Sequence, residues 1–90
     1  MITLERKSEN IGIYEINARA ELINAYRLRK SVTIYTRTRT FLDNFTCIDK
    51  PNKPVTLERF ELHGGVIYHK INNFEWRTIS LDDVIKIEIA

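Results

Sequence analysis

The residues best suited to chemistry fall into four groups. In the first, Tyr35, Arg37 and Arg39 alternate along SVTIYTRTRTF, residues 31–41, with Arg27, Arg29 and Lys30 just upstream. In an extended strand, alternate side chains share one face at about 7 Å intervals. One aromatic ring and two guanidiniums in that array suit a phosphate backbone with a base stacked on Tyr35. They suit an acidic protein surface as well, and they also describe a solvated outer sheet face neutralised across the strands by Glu58 or Glu61. Tyr68 and Trp76 flank Asn72-Asn73, where exposed aromatics would anchor a protein contact. The expected partner-binding or nucleic-acid-binding set is therefore Arg27, Arg29, Lys30, Tyr35, Arg37, Arg39, Tyr68 and Trp76.

The other three groups point more to structure than to reactivity. His63, His69 and Cys47, with Asp43 or Asp49, match no compact ligand spacing, whereas a structural zinc site takes four well-placed ligands. No metal and no cofactor are expected. His63 reads as a turn residue and His69 as a surface strand residue. Asp82-Asp83 has the composition of a Mg²⁺ or acid–base pair, but adjacent turn residues seldom converge on one centre, and capping by Asp accounts for them. Cys47 sits in a strand-like run between Thr46 and Ile48, the setting of a small buried hydrophobe rather than a thiol nucleophile. The chain has no Gly-rich phosphate loop and no nucleophile elbow. The expectation is a protein that binds and is not an enzyme.

These side chains must be held by short elements. ITLERK, Ser8-Glu9-Asn10 and the run from Ile11 to Ile16 suggest a short hairpin over residues 1–16. Residues 17–30, NARAELINAYRLRK, read as an amphipathic helix capped by Asn17. Its buried stripe would be Ile16, Ala20, Ile23 and Tyr26 or Arg27, widened by Leu22 and Leu28. Residues 31–41 then form a strand. PNKP, residues 51–54, reads as a turn, because prolines are excluded from a central ladder. Strands follow at 55–62, 66–71, 74–79 and 84–89. They are separated by a turn at His63-Gly64-Gly65, a tight turn at Asn72-Asn73 and a 3₁₀-like SLDD. Ile85, Ile87 and Ile89 should share a face, and VIKIEI should be an edge strand. The aromatics Phe41, Phe45, Phe60, Tyr68, Phe74 and Trp76 should mostly fill the core. Short strands at this spacing favour a small antiparallel barrel over residues 31–89. The fold class is thus mainly β (α+β): one helix followed by about five antiparallel strands.

The 90 residues suffice for one domain, 1–90, with no linker or internal repeat. Fourteen basic against 12 acidic residues give a net charge of +2, which does not by itself demand nucleic acid. The single cysteine excludes an internal disulfide. Charges in MITLERKSEN interrupt any leader-like core, and no apolar run approaches the length of a membrane span. A cytoplasmic, soluble chain without membrane contact is expected.

The succession AELINAYRLRKSVTIYTRTR, GGVIYHKINNFEWRTI and SLDDVIKIEI resembles the small SH3-like barrels of the Sm type. Within that group it is most similar to the YolD-like proteins of Gram-positive bacteria and their phages, and less to WYL domains, whose Trp-Tyr-Leu tripeptide it lacks. The resemblance spans about residues 15–89. It implies a five-stranded SH3/Sm-like barrel behind an N-terminal helix. It also implies a regulatory or accessory role in nucleic-acid metabolism, exerted through a protein partner. Direct single-stranded nucleic-acid binding and phage-encoded inhibition of a host defence protein are the alternatives. Edge-strand pairing into a homo-oligomer is open.

Overall fold

The computed structural model describes residues 1–7 and 11–90. The turn expected at residues 8–10 lies outside the described residues. Among the described residues, eight strands and one helix follow in the order β1 (Ile2–Glu5), α1 (Ile11–Arg27), β2 (Val32–Phe41), β3 (Cys47–Pro51), β4 (Val55–Leu57), β5 (Phe60–His63), β6 (Val66–Lys70), β7 (Trp76–Ser80) and β8 (Val84–Ile89), with a 3₁₀ turn at Leu81–Asp83. The protein is mainly β, as its β-branched content requires.

The strands form two antiparallel sheets. The larger runs β1-β8-β2-β3, with β4 also on β2, and the smaller runs β5-β6-β7. The larger sheet curls into a half-barrel. Its outer strands β1 and β3 have no further partner among the described residues, and the smaller sheet packs against the same core. Leu22 and Ala18 of α1 meet Val32 and Ile34 of β2, Leu57 of β4, Phe60 of β5, Ile67 of β6, and Leu81, Val84, Ile87 and Ile89. Full burial of one such aliphatic side chain contributes about 1.5–3 kcal/mol.

Several sequence expectations are corrected. Residues 11–16 open the helix instead of closing a hairpin, and β1 pairs with β8, Ile2 opposite Ile89. Gly12 and three β-branched isoleucines lower the local helix propensity. Packing overrides it: Tyr14 is buried, its hydroxyl donates to the Leu4 carbonyl at 3.2 Å, and the Arg6 guanidinium lies 4.6 Å from its ring centre. Starting six residues early rotates the inward face. The buried stripe is Tyr14, Ala18, Leu22 and Ala25, at spacings of four, four and three, while Ile16, Ile23 and Tyr26 are exposed.

PNKP does not reverse the chain. β3 and β4 run consecutively along one edge of β2, with Arg37 opposite Pro51 and Ile34 opposite Val55. Three steps on β2 therefore face four on its partner, a bulge on an edge where missing N–H donors are tolerated. Asn52 clamps it: its N–H donates to the Thr36 carbonyl at 3.0 Å and its side-chain amide to Thr36 Oγ1 at 3.2 Å. The run expected as one strand over 55–62 breaks at Glu58-Arg59, where the chain passes between sheets.

VIKIEI is not an edge; β8 lies between β1 and β2. A bulge opposite Tyr35/Thr36 pairs Lys86 with Tyr35 but Val84 with Thr36, so Val84 joins Ile87 and Ile89 in the core and Ile85 is displaced from it. Arg6 Nε donates to the Val84 carbonyl at 2.7 Å and its backbone N–H to that of Ile85 at 2.8 Å, securing the bulge.

The aromatics also depart from expectation. Of the six expected in the core only Phe60 is there; Phe45 and Phe74 are 98% and 97% exposed, and Phe41 and Trp76 are exposed as well. Mostly aliphatic side chains fill the space under α1, while Phe41, Phe45 and Phe74 lie exposed at the β2–β3 and β6–β7 hairpins. Gly64, at φ 62°, makes the two-residue turn joining β5 to β6, with His63 opposite Val66 in the ladder rather than in the turn. The Asn72-Asn73 connection is wider than a two-residue turn. Lys70 pairs with Trp76, Ile71 N–H donates to the Glu75 carbonyl at 3.0 Å, and Asn72 Oδ1 accepts from Phe74 N–H at 2.9 Å.

Candidate functional site

The end of α1, the β4–β5 crossing and the β6–β7 hairpin enclose an open groove of about 750 Å³. Its lining carries five cations, Arg27, Arg29, Lys30, Arg59 and Lys70, against two acids, Glu58 and Glu61, with Tyr26, Phe60 and Trp76 as aromatic walls. The fold converges these residues from distant parts of the sequence. Arg59 and Lys70 are neighbours because the Lys70 N–H donates to the Arg59 carbonyl at 3.0 Å, and Trp76 faces Lys70 across the next ladder. The Lys70 ammonium lies 5.7 Å from the Trp76 ring centre, and Tyr26 meets Phe60 edge-on at 5.9 Å.

The helix terminus sets the far wall. The Lys30 N–H reaches the Ala25 carbonyl at 2.9 Å and the Arg29 N–H that of Tyr26 at 3.3 Å, the bonding pattern of a Schellman cap. Arg29 occupies its left-handed position at φ 52°, where glycine is usual and a side chain is strained. Among the described residues, none of the five groove cations lies within 4.0 Å of a carboxylate oxygen, the ion pairs being Arg37–Asp49, His63–Glu61, Lys86–Glu5 and Lys86–Glu88.

Tyr35, Arg37 and Arg39 do share a face, but it lies elsewhere and none of them lines the groove. Arg37 pairs with Asp49 at 3.2 Å, and both arginines donate to the Asp82 carbonyl, at 3.1 and 3.2 Å. Their partners are thus Asp49 and a main-chain carbonyl, not Glu58 or Glu61. Lys86 lies 5.1 Å from the Tyr35 ring centre, and the Glu88 carboxylate beside Tyr35 pushes its hydroxyl pKa up. The structure therefore divides the sequence-derived set: Arg27, Arg29, Lys30 and Trp76 converge with Arg59 and Lys70, while Tyr35, Arg37 and Arg39 stand on an internally bonded sheet face. Tyr68 belongs to neither, packing edge-on to His63 at 5.4 Å.

The remaining candidates take separate local roles. Cys47 is exposed rather than buried. Asp43 caps the β2–β3 loop, accepting from the N–H groups of Phe45 and Thr46 at 2.7 Å, which holds its pKa down. Ser80, not an aspartate, caps the 3₁₀ turn by accepting from Asp82 N–H at 3.3 Å. His63 Nε2 lies 3.0 Å from Glu61, while burial, followed by the nearby Arg77, lowers the pKa of the half-buried His69. Among the described residues no three His, Cys, Asp or Glu side chains group closely enough to hold a metal ion. No described helix is long and apolar enough to cross a membrane.

Arg59 and Lys70 were not evident as functional in the sequence. Their signal was a two-residue Gly64-Gly65 turn, which, with His63 opposite Val66 in the ladder, sets position 59 opposite position 70. Comparison with protein-family models, curated proteins and solved structures finds no match for the chain.

Proposed function

We propose that this protein is a non-enzymatic interaction module whose basic, aromatic-walled groove receives an acidic segment of a protein partner. The observation that carries the reading is the cluster of five groove cations without an ion-pair partner among the described residues. Five cations against two acids leave the groove net positive, so a complementary anion both relieves the repulsion and gains attraction. Tyr26 and Trp76 add the amphipathic surface that anchors protein contacts. The role is that of an accessory or regulatory factor. Nucleic-acid metabolism, in a Gram-positive bacterium or phage, is the setting implied by the resemblance to YolD-like, SH3/Sm-like proteins.

Trp76 is the only tryptophan and lies in the groove, so its fluorescence reports occupancy directly. Titration with a synthetic peptide of alternating aspartate and leucine should shift its emission saturably, and the lysine-for-aspartate peptide should not. A double variant, Arg59→Glu with Lys70→Glu, should lose the response. Equal responses to both peptides would refute the reading.

Direct single-strand binding is the second reading, since cations interleaved with aromatic rings also suit a phosphate chain with stacked bases. A twelve-residue oligothymidylate tests it by the same fluorescence signal, whose midpoint should move steeply with salt.

A further inference from the structure

We infer that the acidic segment binds as an added β-strand along the open edge of β5, a deepening that rests on the groove reading above. β5 is an edge of the smaller sheet. The Lys70 N–H bond to the Arg59 carbonyl marks positions 59 and 70 as a hydrogen-bonded antiparallel pair. Such pairs alternate, so Glu61–Tyr68 and His63–Val66 are bonded pairs too. The main-chain N–H and C=O groups of Phe60 and Leu62 therefore point away from β6, toward the edge that no strand pairs among the described residues. An unpaired row of this kind is a template for an incoming strand.

The surroundings select the occupant. Beside this edge runs a second cleft of about 280 Å³, lined by Leu22, Ile23 and Tyr26 of α1 and by Phe60 to His63 of β5. It shares Tyr26, Phe60 and Glu61 with the basic groove, so the two adjoin along α1 and β5. The apolar half would take alternate side chains of an extended peptide, and the basic half its carboxylates. A strand covering β5 needs about four residues, roughly 13 Å. The chemistry that fits is an extended peptide with apolar residues at one end and acidic residues at the other.

The test uses the full chain and, as probe, an extended peptide with leucines at one end and aspartates at the other. Amide hydrogen exchange, read by NMR, should slow at least about tenfold at Phe60 and Leu62 on saturation, and little at Glu61 and His63, which are already bonded within the sheet. Leu62→Pro removes the outward donor without removing a ladder bond and should weaken binding at least about tenfold. The complementary ligand change, proline at alternate peptide positions, should do the same and leaves the protein unaltered. Unchanged binding of the proline peptide, with the Arg59→Glu/Lys70→Glu variant still inactive, would overturn strand addition and leave the groove reading standing. Full binding by that charge-reversed variant would overturn both. Oligothymidylate displacing the peptide and leaving the Phe60 and Leu62 amides in fast exchange would assign the groove to nucleic acid and overturn the peptide occupant.

Discussion

Arginine does two different jobs on this molecule. On the outer sheet face Arg37 and Arg39 donate to the Asp82 carbonyl, and Arg37 also pairs with Asp49. In the groove, Arg27, Arg29 and Arg59 stand beside Lys30 and Lys70 with no carboxylate in ion-pair range among the described residues. In sequence the outer face looked the stronger site, because alternation set Tyr35, Arg37 and Arg39 in a row. The fold reverses that order. A guanidinium engaged by its own chain has less to offer a partner, and a cluster that outnumbers its acids and pairs with none of them has more.

The sharpest way to break this comparison is to reverse charge on each side. Arg59→Glu with Lys70→Glu should weaken the acidic peptide on the order of 100-fold, close to 3 kcal/mol, with thermal stability unchanged or slightly raised by relief of repulsion. Arg37→Glu should leave peptide affinity within about twofold. Fluorescence titration of both variants measures the difference, and a larger affinity loss from Arg37→Glu would return the site to the outer face.

The next effect runs the other way, on stability. Arg37→Ala removes a hydrogen bond to the Asp82 carbonyl and an ion pair whose arginine side chain is only 18% exposed. It should destabilise by about 1–2 kcal/mol, seen as a lower urea midpoint. Arg27→Ala should shift that midpoint by less than about 0.5 kcal/mol.

Local sequence pattern made much of the fold legible and little of the site. Val32 to Phe41 reads as a strand because β-branched residues dominate it, and Val84 to Ile89 for the same reason. The SLDD turn was legible as a 3₁₀ turn, although its cap is Ser80 and not the aspartate expected. What stayed hidden depends on long-range pairing. Tyr14 turns inward because Arg6 and Leu4 receive it, which no helical periodicity reveals. Phe41, Phe45 and Phe74 looked like core because barrels need bulk, yet the core is mostly aliphatic and these three lie exposed on hairpins. Half of the groove was visible as the basic run Arg27, Arg29 and Lys30. Arg59 and Lys70 needed the β5–β6 register to bring them there.

Arg29 links the two halves of the comparison through strain. Its left-handed backbone at φ 52° is unfavourable for a side chain, and its guanidinium lines the groove. Arg29→Gly should stabilise the protein by about 1 kcal/mol, raising Tm by roughly 4–8 °C in a domain of this size, while weakening the acidic peptide several-fold. Arg29→Ala should weaken binding equally without the gain in Tm, because alanine keeps the strain and loses the charge. Equal Tm values for the two variants would show that the left-handed position stores nothing.

The smallest effect tests what the outer-face arginines leave undone. Because Arg37 and Arg39 are committed to the Asp82 carbonyl rather than its carboxylate, that carboxylate is left to Glu15. The Glu15 pKa is raised, chiefly by a hydrogen bond with Asp82, then by desolvation and by the Asp82 charge. A carboxyl raised on folding binds more protons in the native than in the unfolded state, so its contribution is fully present below the ordinary glutamate range. It is lost as pH climbs through that range to the raised value. Solvent screening at this surface limits the effect to below about 0.5 kcal/mol. Glu15→Gln should therefore abolish that loss, making the stability rise from pH 4 to 7 slightly steeper and gaining a few tenths of a kcal/mol at pH 7 relative to wild type. Denaturation midpoints from pH 4 to 7 would show it, and a wild-type limb that keeps its slope in Glu15→Gln would place the titration elsewhere.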